Sequence, residues 1–266
     1  MCYYVHILRP GGLSMEASTD EMIVDIENLV TEDDAPVDNL PSEKQQRLLT
    51  EPLYSCWHPQ FSFLAAANVG LFYAVRQPPL VPDVFLSLHV EIAEDWWRKQ
   101  NRSYFFWEFG KPPEVVIEIV SNTVGNERGS KLAIYAQMRV PFYAIYDPLQ
   151  QLGGSVLEVF ELSGLHYQSR QSAWFEEVGL GLTLWQGRFE GKEDTWLRWC
   201  DRDRQVIATG AERAEQERQR AEQERQRAEQ ERQRAERAEQ EVAQERRRTE
   251  ALAERLRQLG IDPDAI

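Results

Sequence analysis

The chain has few of the residues that build cross-links and metal clusters. Its 266 residues include three cysteines (Cys2, Cys56, Cys200) and four histidines (His6, His58, His89, His166). Three scattered thiols exclude a disulfide framework, and neither set has zinc-ligand spacing. Free thiols in a reducing cytoplasm are the expectation. Long apolar runs are also missing. The longest, Phe61 to Val75, is interrupted by Ser62 and Asn68 and falls short of the roughly 18 residues of a membrane span. At the start, Arg9-Pro10-Gly11-Gly12 breaks any signal-peptide core, and Met15 offers an alternative first residue. Positive charge is scarce too. The net charge is −14, and residues 1–210 hold 17 basic against 29 acidic groups. Phosphate neutralisation dominates nucleic-acid affinity, so an acidic body argues against tight non-specific coating of DNA.

What is present divides sharply along the chain. All eight tryptophans fall before residue 211, and beyond it the sequence is almost wholly Ala, Glu, Gln and Arg. The first part can bury a core and the second cannot do so alone. Three regions are expected: an acidic segment over 1–33, an α/β domain over 34–202, and a charged helical tail over 203–266. In the tail, Ala-Glu-Gln-Glu-Arg-Gln-Arg occurs three times in unbroken succession from Ala214 to Arg234, a heptad spacing. One seam runs through Ala214, Ala221, Ala228, Ala235, Val242, Thr249 and Leu256; the other starts with Glu217, Glu224 and Glu231 and ends with Leu252 and Leu259. Glutamate where a zipper wants leucine predicts a solvated single helix, with pairs such as Arg218–Glu222 and Arg220–Glu224. Only Val242 to Leu259 has the side chains to grip a partner, and Gly260 with Pro263 ends the helix.

Within the domain, Ser42 reads as the N-cap of a helix over Glu43–Tyr54. The second half of Leu64–Val75 reads as a strand, and Pro82 precedes another over Asp83–Leu88. The tryptophan-rich stretch Glu91–Gly110 is an excursion, its Trp96-Trp97 assigned to core or lid. Val115-Val116-Ile117-Glu118-Ile119-Val120 is continuously apolar but for one acid, the signature of a central strand covered on both faces. Glu118 therefore needs a proton, a cation or a metal. A helix over Ser130–Arg139 places Lys131, Ile134, Tyr135 and Met138 on one face, and Phe142–Tyr146 follows as a strand. This order is a βαβ unit with parallel strands. Val156–Phe160 continues the sheet, Ser163-Gly164 turns it back, and Leu180–Cys200 closes the domain.

Two carboxylates at strand positions with a lysine on the next helix suit metal-dependent phosphodiester hydrolysis. Asp83 and Glu118 can hold Mg²⁺, while Lys131 orients water or steadies phosphoryl charge. Each alone has a plainer reading: Pro82-Asp83 as turn chemistry, Glu118 as half of a buried ion pair, Lys131 as a snorkelling side chain.

At these residues the chain resembles the Uma2 family of restriction-endonuclease-like proteins, within the PD-(D/E)XK nuclease superfamily. The similarity runs from about Asp34 to Cys200. It includes Gly110-Lys111-Pro112-Pro113-Glu114 leading into Val115–Ser121, Tyr135, Arg139-Val140-Pro141, Tyr146-Asp147-Pro148 and Thr195–Trp199, with Leu259–Pro263 resembling the family's usual end. The resemblance implies a restriction-endonuclease-like core, a mixed sheet with a βαβ unit and flanking helices, followed by the long C-terminal helix. It implies Asp83 and Glu118 as metal-binding acids, with the Ile119 backbone carbonyl as a further ligand. The superfamily lysine two residues after the second acid falls on Val120 here, and Lys131 takes its place from the following helix. Glu127 stands where many relatives have aspartate, and Glu43 is a weaker candidate for an extra acid. The resulting expectation is an Mg²⁺-dependent DNA endonuclease, with Mn²⁺ as a substitute. The alternative is a nuclease-fold protein without useful turnover that works as an interaction module, self-associating through its core or its tail.

Overall fold

The computed structural model describes residues 39–74, 77–98, 101–121 and 126–258. The acidic segment 1–33, Met15 and the helix stop at Gly260 and Pro263 lie outside these residues. The first helix, α1, spans Leu40–Cys56, earlier than the sequence predicts. Its N-cap is Asn39, whose Oδ1 accepts from the Ser42 N–H at 2.9 Å. Asn equals Ser as a cap, and Pro41 in the first turn loses no helical hydrogen bond. Ser42 is thereby drawn inside and buried.

Strand β1 is Phe63–Ala67 and β2 only Leu71–Phe72. The long strand thus lies in the first half of the stretch, not the second. Ala65-Ala66-Ala67 pairs antiparallel with β3, Val84–Leu88, so tertiary pairing overrides weak alanine propensity. Asn68, at φ +54°, ends β1. The excursion contributes β4, Tyr104–Phe105, and a single helical turn α2, Phe106–Phe109. Trp96 and Trp97 are largely exposed and pack against each other at a tilt of 59° rather than entering the core.

Strand β5, Val115–Ile119, is buried along its whole length, as its apolar run predicts. The expected helix over Ser130–Arg139 comes in two pieces. A widened turn over Glu127–Lys131 breaks at Gly129, φ −108° and ψ −107°, before α3, Leu132–Gln137. A Cβ at Gly129 would sit 2.0 Å from Asn126 Oδ1, so a side chain there would displace the Asn126 amide, which donates to Ser130 Oγ at 3.0 Å. Strand β6, Phe142–Tyr146, is parallel to β5, completing the βαβ unit. Then β7 (Leu157–Ser163) and β8 (His166–Arg170) extend the sheet antiparallel. The six-stranded order is β1-β3-β5-β6-β7-β8. A second sheet joins β9 (Trp174–Phe175), β10 (Leu180–Phe189) and β11 (Lys192–Cys200).

Strand alternation gives the main sheet two cores. Val115, Ile117 and Ile119 face Leu49 and Leu53 of α1 and Trp199 of β11. Val116 and Val120 face Tyr135, Met138 and Tyr104 on the other side. Glu118 lies on this second face, between two valines whose burial contributes about 1.5–3 kcal/mol each.

The tail is one helix, α4, over Gly210–Gln258, with no buried residue. Its root is fixed by a capping box: Thr209 Oγ1 accepts from the Glu212 N–H at 3.1 Å, and Glu212 Oε2 accepts from the Thr209 N–H at 2.8 Å. The same carboxylate takes a two-pronged ion pair from Arg198 of β11, at 2.8 and 2.6 Å. Arg198 is 2 % exposed and lies over the Trp185 ring at 4.7 Å. Along the tail, Arg218 pairs back onto Glu215 instead of forward onto Glu222, and Arg220 makes no ion pair with Glu224 among the described residues. Glutamate ahead of arginine is the order the helix dipole favours. No helix among the described residues is long and apolar enough to cross a membrane.

Candidate active site

The ladder between β3 and β5 pairs Val84 with Ile117, so the next antiparallel step sets Asp83 opposite Glu118. Regular pairing stops there, because Pro82 has no N–H to continue it. The Asp83 side chain fills the gap: its Oδ2 accepts from the Ile119 N–H at 2.7 Å. Its Oδ1 accepts from Gln46 Nε2 of α1 at 3.1 Å. Asp83 and Glu118 also lie close enough for each carboxyl to perturb the other.

Glu118 is 1 % exposed. Tyr135 of α3 donates to its Oε1 at 2.6 Å and Lys131 Nζ to its Oε2 at 2.9 Å. The widened turn brings Glu127 and Lys131 inward together, Nζ to Oε1 at 3.5 Å. Tyr143 of β6 pins this turn by donating to the Glu127 carbonyl at 3.0 Å. Glu127 is buried, and its Oε2 has no hydrogen-bond partner. Asp83 and Lys131 are only partly covered, so the cluster meets solvent on their side.

Burial pushes the Glu118 carboxyl up to about 8, reinforced by neighbouring Asp83 and opposed by Lys131 and Tyr135. Burial also raises Asp83, against the pull of the Ile119 N–H. For Lys131, burial lowers the pKa, but Glu118, Glu127 and Asp83 together more than reverse it. The Tyr135 hydroxyl, buried beside Glu118, is held well above its ordinary value and stays protonated as a donor.

The structure thus brings Asp83, Glu118 and Lys131 together and adds Glu127. With its carboxylates ionised the cluster carries three negative charges against one ammonium, a formal excess of −2. Among the described residues no three acidic, histidine or cysteine side chains converge as a ready-made metal cage. The donor set still fits a hard divalent ion such as Mg²⁺, which is held by one or two carboxylates and keeps several waters. A carboxylate offers about four acceptor positions, so Glu118 retains capacity beside its two donors. The orphaned oxygen of Glu127 is further unused donor capacity at the same place.

Glu43 does not reach the cluster; it pairs with Arg47 on the outer face of α1 at 2.5 Å. Gln46 reaches it instead. It shares a buried stripe with Ser42, Gln45, Leu49 and Leu53, and two amides on a core-facing stripe were the available signal. Tyr135 is legible in the sequence as a member of the face it shares with Lys131 and as a point of family resemblance, but not as the partner of Glu118.

The six-stranded mixed sheet has one parallel pair, β5–β6, with one acid on β5, a second where antiparallel β3 begins, and a lysine from the crossover between the parallel strands, the arrangement of a restriction-endonuclease-like α/β core. The chain belongs to the Uma2 family, described as "Putative restriction endonuclease", whose model matches residues 30–185. Among solved structures it is similar to a crystal structure described as a putative nuclease belonging to DUF820 from Anabaena variabilis ATCC 29413. Identity is 15 % over 52 % of this chain and 71 % of that one, with a TM-score of 0.37; the assignment stands on the family match alone. No curated protein matches the chain.

Proposed function

We propose that this chain is an Mg²⁺-dependent nuclease hydrolysing DNA phosphodiester bonds at the Asp83–Glu118–Lys131 cluster. The observation that carries the reading is the convergence of three carboxyl groups on one ammonium, a formal −2 once all three have lost their protons, with a buried, partnerless carboxylate oxygen among them. A divalent cation brings such a site to neutrality. Asp83 and Glu118 are the side-chain ligands. The Ile119 carbonyl joins them, since a strand residue's C=O and N–H point to the same edge, and the Ile119 N–H faces Asp83. Bound there, the cation supplies Lewis acidity toward the phosphate and an acidified water. The chain's own residues do the positioning. Gln46 and the Ile119 N–H fix the Asp83 rotamer, and Tyr135 fixes Glu118. Lys131, raised and therefore charged, orients the attacking water or holds a non-bridging phosphate oxygen.

The test is cleavage of supercoiled and single-stranded DNA with and without Mg²⁺ or Mn²⁺. Wild type should cut only with a cation, and Asp83→Ala and Lys131→Ala should each lose at least about 100-fold. An inert wild type, or variants that cut equally well, would overturn the reading. A second reading, an interaction module without turnover, is favoured by a 49-residue helix whose residues beyond the root at Glu212 are exposed along most of its length.

A further inference from the structure

Beyond the root of α4, its outer end is the one part among the described residues of the helix that carries apolar side chains larger than alanine. Val242 and Leu252 are 55 % and 61 % exposed, and with Ala238, Thr249 and Leu256 they continue the two heptad seams of the repeats. We propose that this end forms a parallel, in-register, two-stranded coiled coil with a second copy of the chain. The upstream repeats stay apart, so that two catalytic domains are carried on one stalk.

Charge selects both the partner and the limits of pairing. In a parallel coil, the residue just before each first-seam position faces the residue five places further on in the partner. Over the outer segment this sets Arg234 against Glu239 of the second copy, and Glu241 against Arg246 of the second copy. Both contacts are attractive, and two-fold symmetry repeats each. Within one chain these four residues make no ion pair among the described residues, whereas their neighbours do, as in Arg232–Glu229 at 3.1 Å. Over the repeats the same rule sets Arg220 against Arg225 and Arg227 against Arg232, like charges at every step. There the seams hold only alanine and glutamate, so no burial offsets the repulsion. The pattern favours closure beyond residue 234 and opposes it before.

The contact is short and has Glu245 on its seam. Association is therefore weak and concentration-dependent rather than obligate. The inference does not depend on turnover at the catalytic cluster.

Sedimentation of the full chain across a dilution series tests it. Mass should rise from the 31.0 kDa monomer toward twofold as concentration increases. The pair Glu239→Arg with Glu241→Arg makes every facing contact repulsive and should return the mass to onefold. Adding Arg234→Glu and Arg246→Glu reverses the whole set and should restore the twofold value. All four positions are solvated, so folding is unaffected and circular dichroism should be unchanged. For direction, Leu252→Cys under oxidation should give a dimer whose cross-link maps to residue 252 in both copies, as parallel, in-register pairing requires, with wild type oxidised alongside to set the background from its three native thiols. A wild type that stays monomeric throughout, a mass above twofold, indifference to the first pair, failure of the fourfold variant, or no cross-link would each overturn the proposal.

Discussion

With its carboxyl pushed up to about 8 by burial and by Asp83, Glu118 keeps a proton in the folded chain where an unfolded glutamate has lost its own. Between about pH 4.5 and 8 the folded state therefore binds more protons than the unfolded one. Stability without divalent ions should fall as pH rises through that window, by up to about 1.4 kcal/mol per unit. The raised Asp83 acts in the same direction, while the Lys131 contribution is lost only at alkaline pH. Thermal melts in chelator should show this slope, and Glu118→Gln should flatten most of it. Adding Mg²⁺ below pH 8 should release protons and steepen the rise of metal affinity with pH. Glu118 was legible in the sequence because an acid among five apolar residues has few bland explanations. Gln46 was not, because an amide gives no sign of which side chain across the fold it meets.

At the scale of elements, the joint between β11 and α4 is the more exposed to damage. Glu212 both caps the helix and neutralises Arg198, whose guanidinium is enclosed. Removing it leaves a buried charge unmatched, so Glu212→Ala should destabilise the domain by about 3–5 kcal/mol in denaturant titrations. Truncation should obey the same logic. A chain ending at Glu217 keeps the joint and should melt like the full chain, whereas one ending at Asp203 loses Glu212 and should melt measurably lower. The Thr209–Glu212 spacing was open to a sequence reader, yet its tie to Arg198 was not, since fourteen residues and a turn separate them. The central strand and the βαβ unit were readable from apolar runs and proline stops. The start of α1 and the extent of β1 were not, because neighbouring caps compete within tenths of a kcal/mol and pairing rather than propensity chose which alanines became strand.

At the scale of the molecule, an acidic chain proposed to act on DNA approaches a substrate that its own field repels. Divalent ions should therefore govern binding as well as chemistry. Filter binding to duplex DNA should be weak in chelator and tighten at least about tenfold with Ca²⁺, which fills the site without supporting cleavage; charge neutralisation at the phosphate is the reason. Asp83→Ala should lose most of that response. No change on adding Ca²⁺ would separate the site from substrate capture.

The joint at Thr209 has a mechanical consequence. From there α4 runs on for about 70 Å, and beyond its first turns against α1 no described residue of it is buried. A rod of that length clamped at one end is an amplifier: a rocking of about 5° in the Arg198–Glu212 clamp sweeps the far tip through about 6 Å. Motion at the tip, conversely, returns as torque on β11, whose Trp199 donates to the Leu49 carbonyl of α1. On that same helix, one turn back, sits Gln46 with its hand on Asp83.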